Sequence, residues 1–127
     1  MNAVLSTNIQ ESAEVELGKF FMLFGKGVKG LTMFSGLVDN IWHELLETPI
    51  KYHDFCEKTA GKQVAHVEMN GVGPIKWVTQ YETEFGKLNE VWFMNKHGQL
   101  DTQAYKEYQV TGEVKRQSWD CGPVPTE

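Results

Sequence analysis

His43, Cys56 and His66 are the residues of this chain whose types and order best suit metal chemistry. Imidazole nitrogen and thiolate sulfur form the mixed donor set that zinc accepts in tetrahedral geometry. The three are separated by 13 and 10 residues. No single turn supplies two ligands, so the fold must bring them together. Cys121 is a fourth donor if the C-terminal segment folds back. Asp39 precedes His43 by four residues and shares its helix face. From there its carboxylate would hold the ring nitrogen of His43 that points away from the metal. The plainer alternative is a buried polar network. In it His43 bonds Asp39 on one side and a backbone carbonyl or the Tyr52 hydroxyl on the other, with Cys56 a small core residue.

Other chemistries are weaker. Cys56 with His43 or His66 and Asp39 is a Cys-His-Asp set for nucleophilic catalysis. A reactive thiol needs a helix N-terminus or nearby positive charge, and Cys56 is expected mid-helix beside Asp54 and Glu57. No catalytic residue is assigned on this basis. Glu44 with Glu47, and Glu82 with Glu84, read as solvated helix faces rather than acid/base pairs. His53 and His97 read as surface residues. Gly25-x-Gly27-x-x-Gly30 matches a dinucleotide fingerprint in form only. It follows an expected helix rather than a strand, so it is a turn ending that helix.

The elements that must position these residues follow from periodicity. Ser12 is a candidate N-cap for a first helix to about Phe24, with Val15, Leu17, Phe20 and Phe21 on its apolar face. Ser35 caps a second helix, Gly36 to Glu47, with Leu37, Val38, Ile41, Trp42, Leu45 and Leu46 at helical spacing. Thr48-Pro49 opens a third, Pro49 to Ala60, which buries Tyr52, Phe55 and Cys56 and stops at Gly61. The short link makes these two an αα-hairpin. Residues 61–73 read as extended or irregular, with Val64 and His66 on one side. Pro74 opens a fourth helix to Phe85, closed by Gly86. Glu90 to Met94 reads as a strand. Asp101 or Thr102 caps a fifth helix to Val110, ended by Gly112. Glu113 to Trp119 is then a strand to pair with Val91 to Met94. The predicted fold is mainly α: about five helices including the αα-hairpin, with a small two-stranded antiparallel element in the C-terminal half. Residues 1–127 make one domain, with 1–10 and 122–127 loose.

Bulk composition narrows the function. The chain has 127 residues, 12 basic and 17 acidic, for a net charge of −5. That balance disfavours a nucleic-acid binder, which needs clustered Lys and Arg. No apolar run approaches the ~20 residues of a membrane span, and the first residues carry no basic cluster of a secretory signal. A cytoplasmic location with reduced thiols is the expectation. Fifteen aromatic residues, seven Phe, four Tyr and four Trp, are expected mainly in the core; any left exposed would form a protein-binding patch.

Asp39-x-x-Trp42-His43, Thr48-Pro49, Tyr52, Phe55-Cys56, Gly61 and His66 together resemble a short domain of bacterial proteins labelled glycine-rich-domain-like. The same domain repeats at the start of the plant glycine-rich-domain proteins. The match spans about residues 34–67. The resemblance implies a helical domain and candidate residues, without an activity. The expected function is a small non-catalytic domain acting through protein or peptide contact, with no assigned cofactor. The alternative is a zinc-type protein using His43, Cys56 and His66. An enzyme or enzyme-accessory protein comes third.

Overall fold

The computed structural model describes residues 6–126. The order of elements is α1 (Thr7–Gly25), α2 (Gly36–Leu46), α3 (Pro49–Thr59), β1 (Val64–Gly73), α4 (Val78–Phe85), α5 (Thr102–Thr111) and β2 (Gln117–Pro125). It is a mainly α fold with five helices and one two-stranded antiparallel sheet, as the sequence predicts. Residues 1–5 and 127 of the expected loose ends lie outside the described residues. Thr7 already belongs to α1, and Gly122 to Pro125 pair with β1.

α1 starts earlier than its expected cap. The Ser6 side chain accepts from the Ile9 amide at 3.1 Å, and Ser12 lies within the helix. The buried face runs Ala13, Glu16, Leu17, Phe20, Phe21. The carboxylate at Glu16 interrupts what would otherwise read as an earlier apolar stripe, and Val15, assigned to that stripe, is 57% exposed. The Ser35 hydroxyl caps α2 by accepting from the Val38 amide at 3.1 Å, and itself donates to the Val91 carbonyl at 2.9 Å. One buried hydroxyl thus starts a helix and ties it to the second half of the chain. α3 begins with Pro49 as its first residue. The predicted start of α4 at Pro74 falls four residues too early. The Asp101 carboxylate caps α5, accepting from the Ala104 amide at 3.1 Å, and Gly112 ends it in left-handed backbone at φ +76°.

The predicted strand at Glu90 to Met94 is instead a short 3-10 turn, Glu90–Phe93, with the Asn89 side chain accepting from the Val91 amide at 3.0 Å. Val91, Trp92 and Phe93 are all buried. A strand sends alternate side chains to opposite faces. Three consecutive inward residues fit a tight turn pressed into the core. The partner of the C-terminal strand is β1, with Val64 opposite Pro125, His66 opposite Pro123 and Glu68 opposite Cys121. An irregularity between Glu68 and Gly71 shifts the register before Gly71 meets Trp119. Gly71 has a steric reason to be glycine: an added Cβ would stand 2.4 Å from the Trp119 ring.

The core is one aromatic cluster. Phe20 lies edge-on to Trp42 and Trp77, and Phe34 stacks on Trp92 at 5.4 Å. Such pairs add about 0.5–1.5 kcal/mol each beyond burial.

Candidate metal centre

The αα-hairpin aims the sheet at α2. The Trp42 indole N–H donates to the Tyr52 hydroxyl at 3.0 Å, and that hydroxyl donates to the Val64 carbonyl at 2.5 Å. This relay joins α2, α3 and the first residue of β1. Two residues on, His66 faces α2, its ring edge-on to Trp42 with centroids 4.5 Å apart. β2 is fixed in turn by the Met33 amide, which donates to the Cys121 carbonyl at 3.0 Å. His66 and Cys121 are diagonal neighbours on one face of the sheet, within side-chain reach.

The outcome is a cluster of Asp39, His66 and Cys121, whose ligand atoms all lie within 4.8 Å of one another. These three could hold a metal ion. His66 Nε2 is 3.3 Å from Asp39 Oδ1, and the Cys121 thiol donates to the same oxygen at 3.1 Å. His43 Nε2 is 3.3 Å from the other carboxylate oxygen, Oδ2. Asp39 is therefore the hub. The side chains of Asp39 and His66 are 20% and 13% exposed and Cys121 is buried, so the cluster lies just under the surface.

The expected ligand set changes in membership. His66 takes part, and Cys121, the suggested fourth donor, takes a leading place. Asp39 and His43 are paired one turn apart as predicted, but with roles exchanged: Asp39 faces the other donors, and His43, 56% exposed, supports it from outside. Cys56 is not in the cluster. It is fully buried in α3, next to the Tyr52 hydroxyl and the Val64 backbone, which makes it a packing residue. The polar network also differs from expectation, because the Tyr52 hydroxyl serves Trp42 and Val64 rather than His43. The signal for Cys121 was present in Trp119-Asp120-Cys121. A C-terminal strand paired with Val91 to Met94 gives that cysteine no position; paired with β1, it stands opposite Glu68.

The electrostatics separate the cluster from a nucleophile site. Burial raises the Cys121 thiol well above its ordinary range, and the hydrogen bond to Asp39 raises it further. A carboxylate beside the sulfur stabilises S–H. In a catalytic triad the histidine touches the thiol and the carboxylate stands behind it, whereas here Asp39 lies between Cys121 and His66. Burial also raises Cys56. Both thiols are therefore expected to resist alkylation in the native protein. Reaction with a maleimide near neutral pH should be slow, and should become fast for both only in denaturant. Rapid labelling of Cys56 in the folded chain would contradict its burial.

Among the described residues, no helix is long and apolar enough to cross a membrane. Comparison of the chain with protein-family models, curated proteins and solved structures gives no match.

Proposed function

We propose that this protein binds one divalent transition-metal ion, zinc by its donor chemistry, through Asp39, His66 and Cys121. The observation that carries the reading is the convergence of carboxylate, imidazole and thiol from three separate elements, α2, β1 and β2, on one small volume. Metal–ligand bonds of about 2.0–2.3 Å place tetrahedral ligand atoms about 3.3–3.8 Å apart. The separations to Asp39 Oδ1, 3.3 Å and 3.1 Å, stand at or just below that edge length. Three protein donors leave a fourth position for water or an exogenous ligand. His43 supports the site from outside by fixing the Asp39 carboxylate, as partners of metal ligands do. The protein-contact reading has less to stand on. Among the described residues, the large exposed apolar ones are Val15, Met22, Ile50, Val67, Val72 and Val110, none of them aromatic and spread over four elements.

Cobalt(II) titration tests the proposal. One equivalent is expected to bind, with visible absorption of a low-coordinate ion and a sulfur-to-cobalt charge-transfer band. Cys121→Ser should remove the charge-transfer band and Cys56→Ser should keep it. Absence of stoichiometric binding to the wild-type protein would reduce the cluster to a hydrogen-bonded network around Asp39.

A further inference from the structure

A second cleft, of about 530 Å3, opens between the segment joining α1 to α2, the start of α4 and Trp119 of β2. That volume is in the range of small-molecule sites, about 300–1,000 Å3. Its apolar lining is the Trp119 indole and Pro74, over a floor at the edge of Trp77, which is only 2% exposed. The Trp77 N–H donates to the Thr32 carbonyl at 2.9 Å, and its ring packs edge-on against Phe20 at 5.2 Å and Trp92 at 5.1 Å. Trp119 is half-buried with its ring lying across Gly71, where no side chain would fit. Both rings are fixed before any ligand arrives, with Trp119 presenting the open face, so little ordering cost remains to be met on binding.

The polar lining has one sign. Lys29 and Lys76 border the cleft, and no Asp or Glu does. This reverses the acidic balance of the chain, 17 acidic to 12 basic residues. Lys19, Lys26 and Lys87 are paired with Glu16, Glu84 and Glu82. Among the described residues, Lys29 and Lys76 have no such partner. Gln80 adds an amide at the rim. The contrast is sharpest across Trp119, which also walls a cavity of about 430 Å3 lined by Asp39 and Asp120. One indole divides an acidic side, next to the candidate metal centre, from a basic one.

We propose that the basic cleft binds a small planar organic anion, an aromatic ring bearing a carboxylate or sulfonate. The ring would pack on Trp119 above the edge of Trp77, and the acid group would meet the ammonium groups of Lys29 and Lys76. The site is independent of metal binding at Asp39.

The test is fluorescence titration of the full chain with anilinonaphthalene sulfonate, a planar anion, and with its uncharged parent, phenylnaphthylamine. The anion is expected to saturate at one equivalent with energy transfer from tryptophan. The double variant Lys29→Glu/Lys76→Glu should weaken it about tenfold while changing the uncharged parent little. Both lysines are exposed and unpaired, so thermal stability should not change. The indole N–H resonance of Trp119, identified with Trp119→Phe, should shift on titration. Non-saturable binding, equal weakening of both probes, or an anion affinity indifferent to the charge reversal would overturn the proposal.

Discussion

Replacing Glu16 by alanine is expected to destabilise the protein by about 3–5 kcal/mol, a large part of the roughly 5–15 kcal/mol by which a domain of this size is folded. Glu16 is 2% exposed in the middle of the aromatic core. Its Oε1 accepts from the Tyr81 hydroxyl and from the Trp92 indole N–H, the latter at 2.9 Å, and its Oε2 meets the Lys19 ammonium at 3.1 Å. Removing the carboxylate leaves two buried donors without an acceptor, each costing about 1–3 kcal/mol. It also leaves a void where the side chain stood. Lys19 is 29% exposed and can turn to water, so its loss adds little. That asymmetry gives the control. Glu16→Gln keeps an oxygen for Tyr81 and Trp92 and presents its NH2 to the solvent side, and should cost only about 1–2 kcal/mol. Urea unfolding of the two variants measures the difference. Equal losses would mean that the charge itself, rather than the acceptor at Oε1, is what the core needs.

Glu16 also shows where sequence reading fails. The helices were legible because their signals are local: Ser35 before an apolar period, Thr48-Pro49, Gly86, Asp101 and Gly112 each mark an end by backbone chemistry that needs no tertiary context. A carboxylate on an otherwise apolar face reads as a break in the stripe, because its partners, Tyr81 and Trp92, come 65 and 76 residues later. The antiparallel element is present as predicted, but its pairing differs for a related reason. Val91-Trp92-Phe93 has the composition of a strand, but side-chain burial on all sides overrides that preference. Pairing that segment with the C-terminal strand leaves Val64–Gly73 without a partner and gives Cys121 no position, whereas the observed pairing of β1 with β2 supplies both. The candidate site was half legible. Asp39 and His43 share one helix, so their pairing followed from spacing of one turn. Bringing His66 to Cys121 depends on strand register, and register is fixed by long-range pairing. The Cys56 expectation failed because a thiol at helical spacing with Tyr52 and Phe55 is as consistent with packing as with ligation.

The largest functional effect is expected at Asp39. Structural zinc sites contribute about 10–16 kcal/mol in total, or about 3 kcal/mol for each of four ligands, so loss of one ligand should weaken binding by about a hundredfold or more. Asp39→Asn keeps shape and volume but offers a neutral amide oxygen in place of an anion, and should show that loss. His43→Ala removes only the support at Oδ2, and should cost about tenfold. Cys56→Ala should leave affinity unchanged, because Cys56 lies outside the cluster. Stability gives a second readout. A metal present at about 100 times its dissociation constant stabilises the folded state by about 2.7 kcal/mol. Chelator should therefore lower the melting temperature of the metal-loaded wild-type protein and of Cys56→Ala, and leave that of Asp39→Asn where it was. A hydrogen-bonded network without metal predicts the opposite arrangement: Asp39→Asn would lose about 1–2 kcal/mol with or without chelator, and the wild-type protein would not respond to chelator at all. The order Asp39→Asn, His43→Ala, Cys56→Ala in metal affinity thus separates a carboxylate that binds an ion from one that only gathers two imidazoles and a thiol.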